Sequence, residues 1–203
     1  MDVPDQPRAL AQRRVRRERA AALEMPHVRE LNQLISRIEA DTGFANLPCI
    51  DPLFGGVAAE VLFVLKAPEG DANPAITGKR FLSWDNDDVG AENFFRTCAE
   101  YGLDRRRCTA WNACPFPIEG DSPSRSELSR AEPYTRRMLG LLPRLRVVVL
   151  LGRPAQHAWQ RMSLTGADIH LAHGASPSPP GINHPRNRGS FEAAIRTAVR
   201  LLD

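Results

Sequence analysis

No stretch of this 203-residue chain is apolar for long enough to cross a bilayer, which takes about 20 such residues. No membrane-spanning helix is therefore expected. The first residues lack the apolar core of a secretory signal. Cysteine is scarce: the four cysteines stand at positions 49, 98, 108 and 114. No two form a Cys-x-x-Cys pair, and no Cys/His spacing resembles a zinc site. A cytoplasmic protein with reduced thiols is the expectation. Neither sign of charge dominates: 27 basic residues stand against 24 acidic ones, a net charge of +3. That balance permits contact with a polyanion without demanding it.

The length suits one well-cored domain and is short for two. Charge is unevenly placed. The segment "RALAQRRVRRER" (8–19) holds six arginines and one glutamate. It reads either as a solvated helix or as an arm that contacts phosphates. Residues 1–24 are accordingly set apart as a basic N-terminal arm, and 25–203 as a single α/β domain. In "HVRELNQLISRIEADTG", Val28, Leu31, Leu34, Ile35 and Ile38 recur at helical spacing, which predicts an amphipathic helix ending near Gly43. "FANLPCIDPLFGG" reads as loop.

Four short apolar runs predict buried strands: "EVLFVLK" (60–66), "CTAWNA" (108–113), "RVVVLLG" (146–152) and "DIHLAH" (168–173). Helical patterns lie around them, in "AENFFRTCAEYGL", "SRAEPYTRRMLGLL", "RPAQHAWQRM" and a last helix "SFEAAIRTAVRLL" with Ser190 as N-cap. Strands buried on both faces and alternating with helices predict a three-layer α/β/α fold around a central four-stranded, mainly parallel sheet. In such sheets ligands bind beyond the carboxyl ends of the strands. A single site is therefore expected from the loops "APEGDANPAITGKRFLSWDNDD", "NACPFPIEGD", "GRPAQ" and "HGASPSPPGIN".

Each loop offers candidates, and each candidate has a plain structural reading beside it. The turn at Ala67, Pro68, Glu69 and Gly70 exposes backbone N–H groups that can hold a carbonyl or an anion. Phe81 is either a core ring or a platform for a planar ligand. Asp85, Asp87 and Asp88 are either a solvated turn or the place where a water is held. Asn112, at a strand end, either caps the backbone or presents a donor and an acceptor to the edge of a pyrimidine. The Ser-Pro-Ser-Pro-Pro run is either a stiff connection or a surface pressed against phosphates.

Taken in order, "KAPEG", "FLSWDNDD", "WNACP", "VVVLLGRPAQ" and "ASPSP" resemble the motifs of the uracil-DNA glycosylase superfamily. The likeness runs from about residue 28 to the C-terminus. It is closest to members whose first motif is like EAPG and whose last is like HPSP. The resemblance implies hydrolysis of the N-glycosidic bond of deoxyuridine in DNA, with the base flipped out of the stack and an abasic site left as product. Phe81 would stack on uracil, Asn112 would read its Watson–Crick edge, and the backbone of Ala67, Pro68 and Gly70 would lie along base and sugar. Ser176, Pro177 and Ser178 would compress phosphates, with Ile182 as a wedge and Arg186 and Arg188 against the DNA. No metal or cofactor is implied, and a monomer is expected.

Two positions depart from those motifs. Lys66 stands where close relatives carry glutamate, so the acid that positions water is sought in Asp85 first, then Asp87 and Glu69. Ser176 stands at the histidine of the last motif, and His173 is the nearest imidazole. The cysteine spacing does not match that of iron–sulfur members, so no cluster is expected. Two other functions remain open on sequence: a DNA-lesion or abasic-site binder without catalysis, and an α/β hydrolase of free nucleotides.

Overall fold

The computed structural model describes residues 6–69, 81–164 and 168–203. Helices α1 (Arg13–Ala21) and α2 (Pro26–Thr42) come first. Strand β1 (Cys49–Ile50), strand β2 (Val61–Leu65), strand β3 (Phe81–Leu82) and helix α3 (Val89–Glu100) follow. The chain then alternates through β4 (Cys108–Asn112), α4 (Arg125–Gly140), β5 (Val147–Leu151), α5 (Arg153–Arg161), β6 (His170–Gly174) and α6 (Pro185–Leu202).

The expected four strands form one sheet in the order β4-β2-β5-β6, and all three pairings are parallel. Period-two alternation divides their side chains between two helical layers. Phe63 packs edge-on against Phe94 of α3, which meets Phe191 of α6. One register step away on the opposite face, the Trp111 indole donates to the Thr135 hydroxyl of α4 at 3.1 Å. Residues 61–64, 108 and 147–149 are fully or almost fully buried. Continuous apolar runs of this kind are what a sheet covered on both faces requires.

Helix boundaries show where local chemistry overrides pattern. The α2 face formed by Val28, Leu31, Leu34, Ile35 and Ile38 is buried as the spacing predicts, and Gly43 ends the helix in the left-handed region at φ 76°. Helix α4 starts earlier than its apolar pattern, because Ser124 and Glu127 form a reciprocal capping box. Helix α6 also starts early, at Pro185, with His184 rather than Ser190 as N-cap. Proline at a first helical position has no N–H to lose. The segment expected to be wholly loop contains β1, which pairs in parallel with β3.

At the amino edge of the sheet, Glu60 accepts from Arg107 at 2.7 and 3.0 Å and faces Arg146 at 3.5 Å. The Arg107 hydrogen bond holds the Glu60 carboxyl below its ordinary range. A depressed carboxylate stabilises the fold above its unfolded pKa and loses that contribution as pH falls through the lower folded value. Glu60→Gln is therefore expected to lower stability at neutral pH and to flatten the acid side of the profile, the variant and the unaltered protein converging towards pH 3, as measured by urea unfolding across pH 3 to 7.

Candidate active site

The strand order sets the location. Strand β2 leads through α3 to β4 on one side, and β5 leads through α5 to β6 on the other. The chain therefore diverges between neighbouring strands β2 and β5, and open α/β sheets leave a crevice beyond the carboxyl ends at such a point. A cavity of about 490 Å³ lies there, a size suited to a small ligand. Leu65, Lys66 and Ala67 line it from the end of β2, Asn112 from β4, Leu151 and Gly152 from the end of β5, and Pro154 from the first turn of α5. Residues 82–84, 86 and 88 form one wall, and Ser176 to Pro179 form the facing one.

Asn112 is the last residue of β4 and only 2% exposed. Backbone groups satisfy the strand end themselves: the N–H of Ala113 donates to Leu65 O at 2.8 Å, and that of Cys114 to Lys66 O at 2.9 Å. The Asn112 amide is free of that task, and its Nδ2 has no hydrogen-bond partner among the described residues. A buried donor without an acceptor costs about 1–3 kcal/mol. Nε1 of Trp84 and Oδ1 of Asn86 are likewise buried without partners, and both residues line the same cavity. Three unmet polar atoms around one hollow are chemistry that a polar, planar ligand would satisfy.

The apolar side of the cavity is aromatic. Phe54, Trp84 and Phe94 line it, with Trp84 edge-on to Phe54 at 5.1 Å and to Phe94 at 5.4 Å between centroids. Phe81, the ring expected to stack on a base, is elsewhere. Strand alternation turns Leu82 to the cavity and Phe81 the other way, into a small cluster with Ala9, Leu10 and Val15. The apolar signal in "FLSWDNDD" was sound, but the parity of the strand selects Trp84. Phe54 lies in the stretch expected to be loop and carried no signal of its own.

The carboxylates are also redistributed. Asp85 is buried and absent from the cavity lining. It accepts from Arg19 at 2.8 Å and from Arg105 at 2.8 and 3.1 Å. Asp87 is exposed and faces Arg8 at 3.6 Å. Among the described residues, the acids that line the cavity are Glu69, paired with the Lys66 ammonium, and Asp88, which caps α3 by accepting from the N–H of Ala91 at 2.8 Å. Lys66 also donates to the Asp121 carbonyl at 3.0 Å. Ala67 is a lining residue, Pro68 is buried beside it without reaching the cavity, and Gly70 lies outside the described residues.

Of the last loop, Ser176, Pro177 and Ser178 line the cavity. Asn93 of α3 ties this loop down by donating to Pro177 O at 2.9 Å. The two sides approach so closely that a Cβ on Gly90 would stand 2.6 Å from the Ser178 hydroxyl. His173 points to the opposite face of β6 and lines a different groove beside α5. Ile182 is 1% exposed and part of the main core, which removes it as a wedge. The exposed tip is Ser178, Pro179 and Pro180. Arg186 and Arg188 are exposed in the first turns of α6. Among the described residues, no group of three or more His, Cys, Asp or Glu is placed to hold a metal. All four cysteines are buried, and burial pushes the Cys114 thiol up to about 12.

The N-terminal segment is packed rather than frayed. Arg19 is fully buried, donating to Asp51 and to Asp85. Ser83 donates to the other Asp51 oxygen, and the N–H of Leu10 donates to Asp85 O at 3.0 Å. This network fastens α1 beneath the 81–88 segment that walls the cavity. The exposed arginines of α1 face outward from it.

The family model described as the uracil DNA glycosylase superfamily matches residues 52–200. The chain belongs to that superfamily. No curated protein matches the chain. Membership carries a DNA-glycosylase type of function and DNA as the class of substrate, and the matched segment contains all four strands of the main sheet. Helices α1 and α2 precede that segment, yet α1 supports a wall of the cavity within it. Arg19→Ala leaves Asp51 buried without its arginine, and loss of one partner of a buried pair costs about 3–5 kcal/mol. A fall of that order in urea-unfolding stability is expected, with the variant Arg19→Lys recovering part of it.

Proposed function

We propose that this chain excises uracil from DNA. The carrying observation is Asn112: buried at a strand end, with an Nδ2 that has no partner among the described residues, in a residue that lines a cavity with room for an extruded base. Uracil offers O4 as an acceptor and N3–H as a donor, and an asparagine amide complements both. Cytosine has the opposite polarity at these two positions and is disfavoured by the same group. The extruded base would lie against the aromatic wall of Phe54, Trp84 and Phe94, with the Ala67 backbone alongside.

The C1′–N1 bond breaks with its electron pair passing to uracil, leaving an oxocarbenium-like sugar that water then captures. Glu69 and Asp88 are the carboxylates placed to take the proton from that water and to offset the positive charge at C1′. The Ser176 hydroxyl takes the donor role towards O2 that histidine fills in the related motif. The Ser-Pro segment presses on the phosphates, and the exposed Pro179 and Pro180 enter the gap left by the base. The protein acts as a monomer.

A second reading, recognition of a lesion without cleavage, is favoured by two features. No histidine lines the cavity among the described residues, and Lys66 occupies the place of the first-motif acid.

Incubation with a uracil-containing oligonucleotide, then alkali and sizing, distinguishes the two. Strand scission at uracil, absent for cytosine, is expected. For Asn112→Ala a loss on the order of 10²–10³ in rate is expected, the usual effect of removing one stabilising donor. Retention of the uracil strand on a gel without alkali-labile product identifies a binder. Activity on free deoxyuridine, with DNA binding that ignores salt, overturns both readings.

A further inference from the structure

Two more hollows open along the exposed flank of α5. One, of about 290 Å³, lies between the start of α4 and α5, with Ser122, Arg125, Pro154, His157 and Arg161 on its rim. The other, of about 600 Å³, lies between α5 and the outward face of the edge strand β6, lined by Arg153, His157, Trp159, Leu171 and His173. Pro154 is shared by the first hollow and the base cavity. His157 is shared by the two hollows. The three depressions therefore adjoin in series.

Their charge is one-sided. Among the described residues, no aspartate or glutamate lines either hollow. The nearest carboxylate in the first turn of α4, Glu127, is engaged by Ser124 and by the N–H of Glu119. Arg125, Arg153 and Arg161 are exposed. They have no ion pair or side-chain hydrogen bond among the described residues, whereas Arg8, Arg96, Arg107, Arg136 and Arg146 each have an acidic partner. Uncompensated cations in an acid-free groove concentrate positive potential. The far hollow adds the buried Trp159, whose Nε1 has no partner, and the 40%-exposed Leu171.

We propose that this flank is a track for the phosphodiester backbone of single-stranded DNA running from the base cavity across α5, with Arg125 and Arg161 as its first phosphate contacts. The track rests on the glycosylase reading for its starting point, because Pro154 joins it to the base cavity. A free anion would need one hollow; a row of adjoining hollows with repeated cations suits a polymer of phosphates. The Leu171 end offers a nucleobase an apolar surface.

The test is binding of a uracil-free single-stranded oligonucleotide at several salt concentrations. Each phosphate contact contributes about 0.7 to the slope of log affinity against log salt for single strands. The double variant Arg125→Gln/Arg161→Gln is expected to lower that slope by about 1.4. Arg37→Gln/Arg200→Gln makes the same change in net charge at exposed sites on α2 and at the far end of α6. It is expected to lower the slope by less than half as much. Equal slopes for the two double variants, or no binding by the unaltered protein, overturns the track. Uracil release is followed in the same preparations. A lowered slope without uracil release overturns the excision reading and leaves the track standing; uracil release with an unchanged slope overturns the track alone.

Discussion

The buried guanidinium of Arg19 is the constraint on which the cavity depends. It sits with no exposure between Asp51, beside β1, and Asp85, in the wall segment, while Arg105 approaches Asp85 from the other side. Two carboxylates and two guanidinium groups balance one another, as burial of such charges requires. Without that balance the chain would have no reason to carry Asp85 into the interior. With it, residues 81–88 are pinned at several points, and Leu82, Trp84, Asn86 and Asp88 are presented to one side. Arg105 also lies over the Trp84 ring, 5.3 Å from its centroid, so the same charge network steadies the aromatic face.

Rigidity of the wall matters because the opposite components arrive from distant parts of the chain. Asn112 comes from the end of edge strand β4, Lys66 and Glu69 from beyond its neighbour β2, and Ser176 from the turn after the opposite edge strand β6. The parallel register aligns Leu65 with Asn112 and Leu151 with Gly174, bringing these exits to a common level. A packed sheet supplies a fixed floor; the ion network supplies a fixed side.

Much of this was legible in the sequence. Buried parallel strands announce themselves as unbroken apolar runs, and each of the four was found within two residues of its observed bounds. Asn112 was legible because a polar residue closing such a run has to face something. The errors have a common origin in parity and long-range charge. Phe81 and Trp84 occupy one motif, and only the pleat of a two-residue strand decides which faces the cavity. Asp85 looks like a free carboxylate until Arg19, 66 positions away in sequence, is placed beside it. Ile182 follows two prolines in a loop, yet tertiary packing draws it into the core. The arginine-rich segment read as an arm because its outward residues dominate the composition, while the buried one gives no local sign.

The close approach at Gly90 has an implication for selectivity. A missing methyl group lets the Ser178 hydroxyl settle against the start of α3, and so governs how narrow the doorway is between helix and proline-rich turn. Aperture here is a property of one hydrogen atom in place of a side chain. Relatives with a bulkier residue at this point would have to hold the turn farther out, and would admit guests of a different girth through an otherwise unchanged frame.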